Sequence, residues 1–312
     1  MSGPIFVCGA TGTQGGAVAR HLRQANVTVH ALARDPSSTK AKELENLGVI
    51  IFPGSFGDEA ALRAALKGAQ SVFLNFVPNL AEFTAELQQA KSILAASKDA
   101  GVKHVVYTSS FGLDENQVPP PGLDPNGLVA KIYQVKRDII GAVISAGFES
   151  YTILRPAKFM SDLWGPNVIW FGDLVKTGTF ETALRKGESG PWVDPNDIGA
   201  FGAAALLNSQ KFGGKKVDIF TELLTIDDVV GRVAKITGKK LGVRFLSVEE
   251  EKQRLEQGDV FIQAQVGMRD KGIEVSMENV KAWGVPLGSY DVFLQREKAQ
   301  LLETYGHLSD AE

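Results

Sequence analysis

Several features that decide a protein's class are scarce or missing in this chain of 312 residues. Its single cysteine, Cys8, excludes an intramolecular disulfide and stands in an apolar run, so we expect a small buried side chain there. Lysine and arginine total 33 against 36 for aspartate and glutamate, and no stretch is strongly basic, so no nucleic-acid partner is expected. No apolar run reaches membrane length and no charged leader precedes one, which predicts a cytoplasmic protein without a membrane partner.

Short apolar segments alternate with helix-like segments through the first half of the chain. Strands are predicted at residues 5–8, 27–33, 49–52, 71–76, 104–108 and 150–154. A long helix is expected to begin at an Asn79 cap and to end near Gly101, with one apolar face formed by Leu80, Phe83, Leu87, Ala90 and Leu94. This order predicts an α/β fold, in which helices cover both faces of a parallel sheet and ligands bind beyond the carboxyl ends of its strands.

A glycine-rich segment directly follows the first strand and opens onto a helix-like segment, residues 17–22. Its residues are Gly9, Ala10, Thr11, Gly12, Thr13, Gln14, Gly15 and Gly16. Glycines let a backbone turn tightly and approach a pyrophosphate, and the free amides at the start of a helix face the anion. A glycine-rich surface turn is the alternative, but strand, turn and helix in this order favour a dinucleotide-binding site.

The ends of the other strands add candidates at the same edge. Arg34 follows the second strand, and its guanidinium suits the 2′-phosphate of NADP, with Ser37 and Ser38 as further donors. Asp35 is the competing residue, because a carboxylate there would either bind the ribose or begin a turn before a proline. Further candidate cofactor contacts follow the third, fourth and sixth strands; these are Ser55, Phe56, Asn75, Phe76 and Phe159.

A lysine interrupts the apolar stripe of the helix predicted at 128–146. Lys136 falls in the middle of that stripe, whereas Lys131, Gln134, Arg137 and Asp138 fall outside it or at its edge. A buried ammonium needs a partner, so Lys136 either reaches the surface or binds the nicotinamide ribose and assists proton transfer. Tyr133 is a candidate proton donor and Ser109 a candidate substrate contact; ordinary helix packing and strand-end capping are the respective alternatives.

The alternation breaks after Pro156, which suggests a second domain. We predict a dinucleotide-binding domain over 1–155 and a smaller α+β substrate lobe over 156–312, with some segments returning to the first domain. Helices are expected near 197–208, 225–237 and 289–303, strands near 216–220 and 243–246, and a frayed tail from 307. Asp197 is the expected N-cap of the first of these helices. The aromatic residues Phe159, Trp164, Trp170, Phe171 and Trp192 predict a lobe core, with one or two lining a pocket for an aromatic substrate.

The motifs that bear on family are Gly9–Gly16, Ala33–Pro36, Gly54–Phe56, Val106–Ser110, Lys136–Asp138, Tyr151–Pro156, Asp197–Gly199 and Thr237–Lys240. Together they resemble the NmrA-like branch of the atypical short-chain dehydrogenases, near its isoflavone-reductase-like relatives. The resemblance implies a doubly wound Rossmann domain with a small C-terminal substrate lobe. It also implies NADP bound through the glycine-rich segment, Arg34 and Lys136, with Ser55 and Phe56 at the adenine.

Two residues depart from the pattern. The tyrosine that standard short-chain dehydrogenases carry four positions before the lysine is Ile132 here, and Ser55 stands where the family often has aspartate. The family contains reductases and cofactor-sensing regulators. The resemblance therefore implies an NADP-dependent reductase of a small aromatic or conjugated carbonyl substrate, or else a non-catalytic NADP(H) sensor with a regulatory protein partner. A homodimer is compatible with both, and no metal site is predicted.

Overall fold

The computed structural model describes residues 3–79, 82–116, 125–269 and 275–311. The strands are β1 (Ile5–Val7), β2 (Val29–Ala33), β3 (Ile50–Pro53), β4 (Ser71–Leu74), β5 (His104–Thr108), β6 (Ser150–Pro156), β7 (Lys158–Phe159), β8 (Thr179–Thr182), β9 (Ser189–Val193), β10 (Lys215–Ile219), β11 (Glu222–Thr225) and β12 (Gly242–Phe245). The helices of the first half are α1 (Thr13–Gln24), α2 (Thr39–Asn46), α3 (Glu59–Leu66), α4 (Ala85–Asp99) and α5 (Leu128–Ser145).

Two 3₁₀ helices, Met160–Leu163 and Gly165–Phe171, follow β7. The remaining helices are α6 (Leu174–Thr177), α7 (Pro195–Leu207), α8 (Ser209–Phe212), α9 (Ile226–Thr237), α10 (Val248–Glu256), α11 (Val260–Arg269), α12 (Met277–Lys281), α13 (Tyr290–Arg296) and α14 (Lys298–Tyr305). Among the described residues, no helix combines the length and the apolar character needed to cross a membrane.

The main sheet has seven parallel strands in the order β10-β6-β5-β4-β1-β2-β3. The predicted α/β fold and its six first-half strands are confirmed. The strand expected near 216–220 was wrongly assigned to the lobe, because β10 pairs in parallel with β6 and extends the main sheet. The strand order reverses between β1 and β4, and a reversal of this kind opens a crevice at the carboxyl edge of a parallel sheet.

Each face of the sheet carries its own apolar layer. Helices α1 and α7 pack on one face, through buried residues such as Val18, Leu22 and Phe201, and α3, α4 and α5 pack on the other. The α1–α7 approach depends on Gly199, where a Cβ atom would come within 2.7 Å of the backbone carbon of Ala17. Cys8 is fully buried, as predicted, and burial raises the pKa of its thiol.

Two predicted helix starts are wrong. Helix α4 begins at Ala85 rather than at Asn79, because the Asn79 side chain accepts a hydrogen bond from the Glu82 amide (3.2 Å) within the preceding turn. Leu80, predicted on the apolar face, lies outside the described residues. Helix α7 is capped by Asp194, not by Asp197, because Pro195 occupies the first helical position and the cap must precede it.

The lobe forms around a third apolar cluster. The lobe contains the three-stranded sheet β11-β9-β7 and the two-stranded sheet β12-β8. Phe171 and Trp192 are buried in its core, whereas Trp164 stacks on Phe293 with ring centroids 5.4 Å apart. The helix predicted at 289–303 is divided into α13 and α14. The tail expected to fray is held over residues 307–311, where Lys239 pairs with Asp310 at 2.7 Å.

Candidate functional site

The glycine-rich turn forms a cradle at the start of α1. Gly9 has a φ of +62°, and the Gly12 amide donates to the Gly9 carbonyl at 2.9 Å, which closes the turn. A Cβ atom on Gly15 would lie 2.3 Å from that same carbonyl oxygen, so only glycine fits there. Gly12 is the N-cap residue of α1 and no side chain caps the helix. Among the described residues, no side chain accepts from the first amides of α1, and amides left open at a helix start suit a phosphate.

Gln14 joins the ends of two strands to this turn. Its Nε2 atom donates to Asn75 Oδ1 at 3.1 Å, and its Oε1 atom accepts from the Thr108 hydroxyl at 2.7 Å. Asn75 follows β4 and Thr108 ends β5, so the three side chains fix α1 against the strands on one side of the crevice. Gln14 and Asn75 were predicted as cofactor contacts; in this structure their side chains bind each other and hold the cradle in place.

At the end of β2, Arg34 differs from the residues that follow it in having no polar contact with another described residue. Arg34 is exposed and has no hydrogen bond or ion pair with any other described residue. Asp35 instead accepts from the Ser37 amide at 2.9 Å and from the Ser37 hydroxyl at 2.5 Å, and these bonds lower the pKa of its carboxyl. The Ser38 hydroxyl donates to the Asp35 carbonyl at 2.8 Å. Both predicted serine donors are thus engaged with Asp35, and Arg34 alone is available to a ligand.

Aromatic rings line the edge beyond β3 and β4. Phe56 and Phe76 make an edge contact with centroids 6.2 Å apart, and Phe76 is 6.3 Å from the Tyr107 ring. Ser55 is exposed, next to Phe56. Val77 follows Phe76 and leaves 82% of its surface exposed, an apolar surface that a ligand at this edge would cover.

Lys136 faces a buried carboxylate across the α4–α5 contact. Burial lowers the pKa of the half-buried Lys136, and the charge of Glu86 opposes this effect. Glu86 is only 3% exposed, accepts from the Asn79 amide at 3.3 Å, and has its own pKa raised by burial. Burial, and then the charge of Glu86, raise the pKa of Tyr107 as well. The sequence left two alternatives for Lys136, a surface position or binding of the nicotinamide ribose, and the influence of Glu86 on its charge is compatible with the second.

The other two predicted catalytic residues lie on α5 and after β5. Tyr133 is half-buried against the apolar layer of α3, α4 and α5, and burial raises the pKa of its phenol. Ser109 is 5% exposed, and its hydroxyl has no hydrogen-bond partner among the described residues. Arg137 was expected outside the apolar stripe, but it is buried and donates to Gln134 Oε1 at 2.8 Å, since α11 packs against α5.

A second lysine lies where β6 leads into the lobe. Phe159 pairs with Val193 in the β7–β9 register and packs against the α1–α7 layer. Its neighbour Lys158 places its ammonium 4.8 Å from the Trp192 ring centroid and 5.6 Å from that of Phe171. Burial lowers the pKa of Lys158 to about 8 and raises that of nearby Asp162 to about 6.

A cavity of about 460 Å³ opens beside β10 and α12. Its charged lining residues already have partners: Lys216 pairs with Asp114 at 2.5 Å, and Asp218 pairs with Arg155 at 2.6 Å. We therefore do not include it in the candidate site. Within the described ranges, no group of three or more His, Cys, Asp or Glu side chains is arranged to hold a metal ion.

A family model described as the NmrA-like family matches residues 1–284. The chain belongs to the NmrA-like family. A curated relative from Streptomyces griseus subsp. griseus, a (4-alkanoyl-5-oxo-2,5-dihydrofuran-3-yl)methyl phosphate reductase, is 29% identical over 253 residues, covering 80% of each chain.

Two solved structures share the fold of this NmrA-like chain. One is an NADPH-dependent quinone oxidoreductase of Escherichia coli in complex with NADPH (TM-score 0.71, 20% identity, 94% of this chain and 99% of that one). The other is NmrA, a negative transcriptional regulator in complex with NAD (TM-score 0.72, 16% identity, 97% of each chain). Both neighbours bind a nicotinamide dinucleotide, so the fold fits the predicted class of cofactor.

Four residues of the site were missed in the sequence. Glu86 and Asp162 are acidic residues in helical segments, where a solvent-exposed position is the ordinary expectation. Lys158 directly precedes the predicted contact Phe159, and Thr108 ends the predicted fifth strand. For Lys158 and Thr108, the position beside a strand end was the signal available in the sequence. The side-chain partners of the site residues come from distant parts of the chain.

Proposed function

We propose that this NmrA-like chain is an NADPH-dependent reductase of a small conjugated or aromatic carbonyl compound. The observation that carries the proposal is a half-buried lysine on α5, Lys136, whose ammonium feels the charge of Glu86, a carboxylate only 3% exposed on the adjacent helix α4. A buried pair of this kind costs free energy of desolvation, which a role in binding and chemistry would explain. The reductase named among the relatives and the quinone oxidoreductase among the neighbours support the same reaction type.

The cradle fits the proposed cofactor. The uncapped amides of α1 would hold the pyrophosphate, and the close approach at Gly15 keeps the backbone within reach of it. Arg34, which has no hydrogen bond or ion pair with another described residue, would bind the 2′-phosphate of NADPH, whereas Asp35 is engaged by Ser37. Phe56, Phe76 and Ser55 would border the adenine, and Phe159 the nicotinamide end.

The chain's own groups would then orient the acceptor. NADPH supplies a hydride when it is bound. Lys136 would hold the nicotinamide ribose through its ammonium, and Glu86 would keep that ammonium charged. The Ser109 hydroxyl, which has no hydrogen-bond partner among the described residues, would donate to the acceptor oxygen. Tyr133, the proton donor predicted from the sequence, is a weaker candidate because burial raises the pKa of its phenol.

The cofactor part of the proposal is tested by fluorescence titration with NADPH and NADH. We expect the wild type to prefer NADPH, and Arg34→Ala to lose that preference. Arg63→Ala is the matched control, because Arg63 is also exposed but lies in the last turn of α3, paired with Glu59 and Asp99. Equal affinity of the wild type for both dinucleotides would refute the role of Arg34.

The catalytic part is tested by a panel of quinones, enones and aldehydes with NADPH. A reductase should oxidise NADPH with at least one of them, and Lys136→Ala should abolish this turnover. The second candidate function is a non-catalytic NADP(H) sensor, favoured by Ile132 at the position of the usual tyrosine. NADPH binding without oxidation by any acceptor would support the sensor and contradict the reductase.

A further inference from the structure

The entrance to the lobe holds a cation that has no hydrogen-bond acceptor. Lys158 is half-buried, and no hydrogen bond or ion pair joins its ammonium to another described residue. Its neighbours there are the faces of Trp192 and Phe171, which attract the charge but accept no ordinary hydrogen bond. An ammonium held partly out of water, beside aromatic faces and without a protein acceptor among the described residues, suits a ligand oxygen.

The position of Lys158 relates it to the candidate site. Strands β5 and β6 are neighbours, and the Phe111 amide donates to the Pro156 carbonyl at 3.0 Å, so the segments that leave the two strands run together. Ser109 and Lys158 therefore leave the same edge of the sheet, one from each strand. Phe159, the proposed nicotinamide contact, is the next residue after Lys158.

We propose that Lys158 is the hydrogen-bond and proton donor to the acceptor, a conjugated ketone or quinone, and that Asp162 is its positioning residue. This proposal rests on the reductase function proposed above. On reduction the acceptor gains a hydride from NADPH, its C=O π bond opens, and the oxygen takes the proton that leaves Lys158 Nζ. Solvent then returns a proton to the amine.

The charges around Lys158 suit this role. Among the described residues, Asp162 is the charged group that acts on Lys158, whereas β9 and the 3₁₀ helix Gly165–Phe171 contribute the aromatic faces of Trp192 and Phe171. Asp162 itself accepts from Asn167 Nδ2 at 2.9 Å, which fixes its carboxylate. An acid with a pKa of about 8 works close to neutral pH, whereas burial raises the pKa of Tyr133 and makes that phenol a weaker acid.

The first experiment measures binding without turnover. The protein is loaded with NADP⁺ and titrated with 1,4-naphthoquinone while tryptophan fluorescence is recorded. Lys158→Met should weaken quinone binding about 10- to 100-fold, the usual loss for a charge-assisted hydrogen bond. Lys176→Met, which removes an exposed lysine of the lobe, should bind like the wild type. Equal affinity of the wild type and Lys158→Met for the quinone would overturn the proposal.

The second experiment follows the pH dependence of NADPH oxidation by the same quinone. Wild-type activity should fall as pH rises through about 8, where Lys158 loses its proton. Asp162→Asn should move this fall to lower pH, because the Asp162 charge raises the pKa of Lys158. Lys158→Arg should keep quinone binding and lose NADPH oxidation, since arginine stays charged and does not release a proton near neutral pH.

The outcomes separate this proposal from the reductase function. Quinone binding that depends on Lys158, without any NADPH oxidation, would refute the reductase and the proton transfer but support the acceptor site. NADPH oxidation that is unchanged in Lys158→Met and in Asp162→Asn would leave the reductase standing and refute the role of Lys158. The arginine and asparagine variants keep the test decisive if Lys158→Met fails to fold, because both retain polar groups of similar size.

Discussion

Adding one methyl group to the cradle should destabilise the protein and weaken its cofactor binding. In Gly15→Ala, the new Cβ atom would stand 2.3 Å from the Gly9 carbonyl oxygen and 2.6 Å from that of Cys8. Both atoms belong to the backbone, so no side-chain rotation relieves the contact and the turn itself must shift. Overpacking of this kind costs about 1–3 kcal/mol, and rigid neighbours place the change near the upper end, at about 3 kcal/mol.

The helix propensity of alanine offsets part of this cost. Gly15 lies in the first turn of α1, where replacing glycine by alanine gains at most about 1 kcal/mol. The net loss should therefore be about 2 kcal/mol of unfolding free energy, measured as a lower urea midpoint at an unchanged slope. NADPH affinity should fall as well, because the displaced backbone carries the amides that face the phosphate.

Gly141→Ala is the matched control, because the same methyl group is added within α5 where no atom lies within 4 Å. Only the gain in helix propensity remains there, so this variant should be more stable than the wild type by about 0.5–1 kcal/mol. The two substitutions should thus have opposite signs. A Gly15→Ala variant as stable as the wild type, with normal NADPH affinity, would refute the steric reasoning.

Two further predictions concern buried titratable groups. Glu86→Gln removes the charge that raises the pKa of Lys136, so NADPH affinity should begin to fall at a lower pH than in the wild type. Glu82→Gln, which changes an exposed carboxylate, is the control. An unshifted pH profile of NADPH affinity in Glu86→Gln would contradict the electrostatic interaction of Glu86 with Lys136. Burial lowers the pKa of His104 below its usual 6.5, so the unfolded chain binds more protons and the unfolding free energy should fall as pH drops below 6.5. His104→Gln should flatten this part of the profile in urea denaturation between pH 5 and 8, and exposed His307→Gln should not.

The fold was predictable from the sequence because its strands are short apolar runs separated by helices with regular faces. Local signals of this kind located the glycine cradle, whose residues are contiguous in the chain. They failed at Asp197, since a proline one position into the helix makes Asp194 the cap instead. They also failed for β10, because pairing with β6 is a non-local choice that no local pattern records.

The candidate site was less predictable, because polar contacts depend on which elements pack together. The sequence drew attention to Lys136 as a cation in an apolar stripe, but its partner Glu86 comes from another helix, in a position where an acidic residue is normally exposed. The predicted ligand contacts Ser37 and Ser38 are short polar side chains near Asp35, and a local turn satisfies all three. Arg34 has no such local partner, which is why its predicted role is compatible with the structure.

The electrostatic interaction of Lys136 with Glu86 bears on function more than on stability. Taking two opposite charges out of water costs several kcal/mol per ion, and their mutual attraction seldom returns more than that. Apolar side chains at both positions would serve the α4–α5 contact at least as well, since the surrounding residues, such as Ile93 and Ile139, are buried and apolar. A structural role therefore does not account for the pair. The proposed role of Lys136 in holding the cofactor would account for it, because Glu86 opposes the loss of charge that burial alone would cause.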